Sequence, residues 1–176
     1  MQELVSALAL MAVLLVSVGT DVRSRRIPNA LIVIGLATAL ALGGLTGWQA
    51  LGNAVAGLIV GLLLFLPAYV FALMGAGDVK LMAVVGAFLG PMDVVLAAVA
   101  SVIAGGILGL MVVMGCGGGR SMLQRYRLML ACLWATGRFA YVKPAAGEAA
   151  AKPMPYALAI ACGTTWTLWQ QSAAFG

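Results

Sequence analysis

The stretch FALMGAGDVKLMAVVGAFLG (residues 71–90) places an aspartate and a lysine between two apolar segments. Residues 27–77, which overlap its start, contain no formally charged side chain. Over all 176 residues, 64% are hydrophobic and only 9% are charged. A soluble domain has about 25% charged residues, so there is too little polar surface here to face water. The composition therefore predicts an integral membrane protein.

Six apolar segments predict six transmembrane helices, because a helix needs about 20 mostly apolar residues to cross the bilayer core. These segments are 4–20, 30–46, 51–74, 79–91, 94–115 and 154–171. The fourth is short, so we expect it to sit deep, to tilt little or to thin the bilayer locally. No basic residue precedes the first segment, which favours a retained helix over a cleaved signal peptide. We expect an all-α membrane protein whose single domain covers residues 1–176.

The basic residues follow the odd-numbered segments without exception. They are Arg23, Arg25 and Arg26 after the first, Lys80 after the third, and Arg120, Arg125, Arg127, Arg138, Lys143 and Lys152 after the fifth. Because basic loops stay in the cytoplasm, this pattern predicts three cytoplasmic connections and places both termini outside.

The longest of these connections covers residues 116–153. Its first part, 120–142, can form an amphipathic helix that lies on anionic lipid. An ordinary basic loop that only obeys the charge rule explains the same residues equally well, so both interpretations stay open.

The three cysteines, Cys116, Cys132 and Cys162, form no CxxC pair, and the chain contains no histidine. This pattern argues against a zinc or haem site and predicts free thiols. We expect no metal, no cofactor and no nucleic-acid partner.

Two of the five acidic residues, Asp21 and Asp78, border apolar segments on the predicted cytoplasmic side. Asp78 could serve as a helix N-cap. The two acids could also form one catalytic pair, with Gly75 and Gly77 allowing unusual backbone angles and close approach of a substrate. The helix dipole would then favour the ionised form of Asp78 and disfavour that of Asp21. Two carboxyls that share a proton suit aspartic proteolysis.

Three segments resemble one family. The residues GAGDVK (75–80) resemble the GxGDxK signature of type IV prepilin peptidases, which are membrane aspartyl proteases. The segment DVRSRRIPN (21–29) is similar to the region of that family's first aspartate. The segment MPYALAIACG (154–163) is similar to its last helix. Together the three motifs extend over nearly the whole chain.

The resemblance implies that Asp21 and Asp78 are the catalytic pair, and that they cleave the leader from pilin precursors at the cytoplasmic face of the bacterial inner membrane. Lys80 could tune Asp78 or could simply be a topology charge. The residues expected to shape the site or bind substrate are Gly75, Gly77, Lys80, Arg25, Pro28, Asn29, Pro155 and Tyr156.

Larger members of that family carry paired CxxC motifs that are linked to metal binding and to methylation of the new pilin N-terminus. Because this chain has none, it resembles the short Tad/Flp-type peptidases, and we do not expect methyl transfer. Two alternatives are a small proton-coupled transporter that uses the two acids as a relay and a structural subunit of a pilus or secretion platform. The interiors of the segments hold no ionisable residue, which favours the enzyme.

Overall fold

The computed structural model describes residues 2–71, 73–115, 124, 127–128, 134 and 155–174. Within these residues the chain is all-helical. Its six helices are α1 (Gln2–Ser24), α2 (Asn29–Thr46), α3 (Trp48–Val70), α4 (Ala76–Leu89), α5 (Pro91–Gly115) and α6 (Tyr156–Ala174). Each predicted apolar segment corresponds to one of them. The predicted amphipathic helix at 120–142 lies outside the described residues, apart from isolated positions.

Two compact units divide the chain. One comprises Met1–Gly105 and Pro155–Gly176, and the other comprises Gly106–Met154. The first contains α1 to α4, the first part of α5, and α6. The second contains the end of α5. The prediction of a single peptidase domain over residues 1–176 stays a prediction.

Four helices are long and apolar enough to cross a membrane. They comprise Leu4–Ser24 of α1, all of α2, all of α3, and Pro91–Val112 of α5. Most residues in these segments are not buried inside the protein, and large side chains such as Leu15, Ile34 and Leu63 are exposed. Soluble monomers rarely expose apolar surface on this scale, and such faces are suited to a membrane. The chain is a multi-pass membrane protein.

Helix α4 is the short predicted segment, and it forms the centre of its unit. Its 14 residues make a helix about 21 Å long, which contacts α1, α2, α3 and α6. Every residue from Asp78 to Ala87 except Lys80 is buried. The core around it joins Leu10 and Leu14 of α1 to Ile160 of α6. Helix α4 is therefore surrounded largely by protein, and its apolar character reflects burial in the bundle.

Helices α3 and α4 pack backbone against backbone. A Cβ atom on Gly57 would overlap the carbonyl of Gly86, and a Cβ on Gly86 would overlap the carbonyl of Gly57. One turn further along α3, a Cβ on Gly61 would lie 2.5 Å from the Met82 carbonyl oxygen. Gly57 and Gly61 have the GxxxG spacing that lets membrane helices approach closely. This contact holds α4, and the acid at its start, at a fixed position.

We expect Gly57→Ala to lower the thermal stability of the purified protein in detergent. The added methyl group has no room against Gly86, and overpacking of this kind costs roughly 1–3 kcal/mol. Gly52→Ala in the same helix is the matched control, since a Cβ there meets no described atom within 4 Å. It should be neutral or stabilising, because alanine is the better helix former. Equal melting temperatures for the two variants would contradict the backbone contact.

Candidate active site

The structure brings the two predicted acids together. Asp21 lies in the last turn of α1, and Asp78 lies in the first turn of α4. Both carboxyl groups are buried, and they are close enough for the charge of Asp21 to act on Asp78. Asp93, in the first turn of α5, follows the opposite end of α4. Two carboxylates thus share one site at one end of the bundle.

Asp78 is held by its own helix turn. Its backbone N–H donates a hydrogen bond to the Gly75 carbonyl oxygen at 3.1 Å. The Gly75 N–H in turn donates to Oδ2 of Asp78 at 3.2 Å. The N-cap of α4 is Gly75, so the interpretation of Asp78 as the N-cap is wrong by three positions. Asp78 occupies the acid's position of a capping box, and this contact orients its carboxylate.

The two glycines of the motif provide space rather than unusual backbone angles. Gly75 has φ −77° and ψ 152°, which any residue can adopt, and Gly77 lies within helix α4. The predicted need for angles closed to other residues is therefore wrong. A Cβ on Gly75 would lie 3.3 Å from Oδ2 of Asp78, and one on Gly77 would lie 3.4 Å from Ile27. The missing side chains let the loop approach the carboxylate and the α1–α2 connection.

Asp21 receives a hydrogen bond from the last helix. The backbone N–H of Ala157 donates to Oδ2 of Asp21 at 3.2 Å. Ala157 is in the first turn of α6, where backbone N–H groups have no partner within the helix and are suited to an anion. The preceding Pro155 accepts a hydrogen bond from Leu158 N–H at 3.3 Å, which starts the helix. Sequence reasoning placed Pro155 and Tyr156 in the site but missed the backbone of Ala157.

Tyr156 lies beside the pair. It is half-buried, and its hydroxyl is close enough to Asp78 to feel the charge of that carboxylate. Helix α6 therefore contributes to the surroundings of both acids, through a side chain toward Asp78 and a backbone N–H toward Asp21.

The other predicted site residues hold the connection between α1 and α2. Arg25 is exposed, with φ 52° in the left-handed region, and its N–H donates to the Asp21 carbonyl oxygen at 2.8 Å. Pro28 precedes α2 and accepts a hydrogen bond from Leu31 N–H at 3.1 Å. Nζ of Lys80 donates to Oδ1 of Asn29 at 3.0 Å. Lys80 thus joins the start of α4 to the start of α2, on an exposed surface.

The pKa of Asp78 is raised in the folded protein. Asp78 lies before the predicted span 79–91, and α4 is not among the four long apolar helices. Burial raises the pKa of Asp78 to about 6, the charge of Asp21 adds to the increase, and the Gly75 N–H opposes it. Desolvation therefore opposes the ionised form of Asp78, in the direction opposite to the expected effect of the helix dipole. Asp78 is the carboxyl that retains a proton more readily than usual.

In the described part of the chain, no three His, Cys, Asp or Glu residues lie close enough together to hold a metal ion. Cys162 is exposed on α6 as a free thiol. Cys116 and Cys132 lie outside the described residues.

Comparison with known families gives one match. The model described as the type IV leader peptidase family matches residues 8–110, which is more than half of the chain and includes both acids. No curated protein and no solved structure matched the chain.

The raised pKa of Asp78 predicts a pH dependence of stability. Between the ordinary value of 3.8 and about 6, the folded protein binds this proton more tightly than the unfolded chain does. The contribution of Asp78 to the free energy of unfolding therefore decreases as pH rises through that window. Asp78→Asn removes the titrating group, so the variant should melt at a higher temperature than the wild type above pH 6.

The difference between the two melting temperatures should shrink as pH is lowered toward 4, where Asp78 is protonated in the folded protein and is neutral like the asparagine. Thermal unfolding in detergent across this range measures it. A difference that does not change with pH would show that Asp78 titrates alike in the folded and unfolded protein.

Proposed function

Since the chain belongs to the type IV leader peptidase family and is therefore a protease, we propose that it removes the leader peptide from pilin precursors by aspartyl catalysis. One observation carries this proposal. Asp21 and Asp78, both within the matched segment, are both buried, and the charge of Asp21 helps to raise the pKa of Asp78. Two coupled carboxyls of this kind can activate water and protonate a carbonyl in the same step.

The site supports a division of labour between the acids. Asp78, whose pKa is raised, carries the proton, and Asp21, which accepts the Ala157 N–H, takes a proton from water. The water oxygen bonds to the scissile carbonyl carbon, and the carbonyl oxygen takes the proton of Asp78. Collapse of this diol breaks the C–N bond. The leaving nitrogen receives the proton from Asp21, and a diol hydroxyl returns one to Asp78, which restores both acids.

We further propose that the six predicted apolar segments cross the bacterial inner membrane, with Asp78 just before the segment 79–91 at the cytoplasmic side and both termini outside. The described cations near the bundle support this orientation: Arg23, Arg25 and Arg26 follow α1, and Lys80 lies in the first turns of α4. They are at the same end as the acids, as the positive-inside rule requires for a cytoplasmic surface. A leader peptide is still on this side before its pilin is assembled.

The substrate class follows from the motif resemblance. We propose a type IVb pilin precursor of the Tad/Flp kind, cleaved without methyl transfer, since the sequence contains no CxxC pair. Anionic lipid is the proposed partner of the basic cytoplasmic connection.

Replacing either acid tests the aspartyl mechanism. Asp21→Asn and Asp78→Asn nearly preserve side-chain shape but remove a titratable carboxyl. Each should lose precursor cleavage by at least about 10³-fold, and the double variant should be little worse, because residues that act as a unit are not additive. The measurement is processing of a candidate pilin precursor in membranes, with protein abundance checked by blot.

Asp93→Asn is the matched control, because it makes the same chemical change at the other end of α4. It should cleave at the wild-type rate. Cleavage at normal abundance by either single Asn variant of the pair would exclude the aspartyl mechanism and leave the two acids available for a proton relay.

Membrane orientation is tested by thiol labelling in a variant that lacks the three native cysteines. We expect Thr46→Cys, at the end of α2, to react with a membrane-impermeant maleimide in intact spheroplasts. Ser24→Cys, at the end of α1, should react only after the membrane is opened. Both positions are exposed, so burial does not limit either reaction. Labelling of both from the same side would contradict the proposed topology.

A further inference from the structure

The ring of Tyr156 is held by two neighbouring helices. A Cβ atom on Gly105 of α5 would lie 2.7 Å from Cε2 of the ring and 3.0 Å from its hydroxyl oxygen. On another side, Phe65 of α3 meets the ring edge to face, with centroids 6.1 Å apart and planes at 72°. Phe65 is itself buried. The ring therefore fits in this position only because Gly105 has no side chain.

A second close contact, at Gly163, determines the axial position of α6 relative to α5. A Cβ atom on Gly163 would lie 2.5 Å from the Ser101 backbone nitrogen and 2.8 Å from the Ala97 carbonyl oxygen. Contacts at Gly163 and at Tyr156 are separated by about two helical turns of α6. Two such points prevent α6 from sliding along α5, and so they determine where its first turn lies.

That first turn faces both carboxyls. The Ala157 N–H is bonded to Asp21, and Tyr156, the residue before it, has its hydroxyl within range of the charge of Asp78. If Asp78 gives its proton to the scissile carbonyl oxygen, that oxygen must lie next to Asp78 in the complex with substrate. The Tyr156 hydroxyl is then on the same side as the oxygen that gains negative charge as water attacks.

We propose that Tyr156 is a catalytic residue whose hydroxyl donates a hydrogen bond to the scissile carbonyl oxygen, and that Gly105 is the positioning residue that seats its ring. This proposal rests on the proposed aspartyl peptidase function. The hydroxyl keeps its proton throughout, so the step needs no further reactant. A fixed donor aimed at developing charge stabilises the transition state more than the ground state.

Tyr156→Phe tests the hydroxyl alone, because the variant keeps the ring and its contacts with Phe65 and Gly105. We expect kcat for precursor cleavage to fall by about 10²-fold or more, with KM nearly unchanged, as for loss of one such donor elsewhere. A rise in KM at constant kcat would instead assign the hydroxyl to substrate binding and overturn the proposal.

Gly105→Ala tests whether the space at Gly105 positions the Tyr156 ring. Its methyl group should displace the ring and reduce kcat although the hydroxyl is still present. Gly106→Ala is the matched control, since it makes the same change one residue along α5, where a Cβ meets no described atom within 4 Å. We expect it to cleave at the wild-type rate. Equal rates for the two alanine variants would remove Gly105 from the proposal.

The double variant Gly105→Ala/Tyr156→Phe separates positioning of the hydroxyl from general damage. If Gly105 acts through the hydroxyl, the double variant should be no slower than Tyr156→Phe alone. Losses that multiply would overturn the positioning role. Melting temperatures of all variants, measured in detergent, identify any loss that comes from misfolding, and kcat is then taken per folded enzyme.

The Asn variants of the two acids are measured beside these. If they lose cleavage while Tyr156→Phe keeps the wild-type kcat, the role of Tyr156 is wrong and the peptidase function stands. If the Asn variants cleave normally, the aspartyl function itself is wrong.

Discussion

Burial of one carboxyl beside another is the constraint on which this structure depends. An isolated charge at the start of the most buried helix would be costly, and the protein meets that cost in two ways. It lets the pKa of Asp78 rise to about 6, and it gives each acid a backbone N–H, from Gly75 to Asp78 and from Ala157 to Asp21. Both donors lie at the beginning of helices, so the helix ends have to converge at one point. The arrangement of α1, α4 and α6 satisfies that requirement.

The ends of α1, α4 and α6 can meet only if the helices pack closely. Glycine residues make this close packing possible. Helix α4 lies against α3 at Gly57 and Gly86, and α6 lies against α5 at Gly163. Between lipid-exposed helices there is little hydrophobic driving force for association, so dispersion contacts at short range supply much of the stability. The same contacts limit how far the carboxyls can move. In this protein, precise placement of the acids and stability of the bundle come from the same packing surfaces.

Much of this could be predicted from the sequence. The six apolar segments, the short fourth helix and the pairing of Asp21 with Asp78 all follow from charge placement along an apolar chain. The raised pKa of Asp78 could not be predicted, because the helix dipole of α4 is a local property whereas desolvation depends on everything packed around Asp78. The Ala157 N–H escaped notice because a backbone donor has no signature in the side-chain sequence. The GxxxG spacing at Gly57 and Gly61 was visible, and it was the available signal for the α3–α4 contact.

The hydrogen bond between Asp21 and Ala157 joins residues 136 positions apart. During synthesis at about 5–20 residues per second, α1 and α4 are therefore made well before the turn that completes their surroundings, with a delay on the order of ten seconds. A nascent chain that ends before α6 has both carboxyls but lacks the donor to Asp21. The surroundings of Asp21 are therefore complete only after the start of α6 has been made.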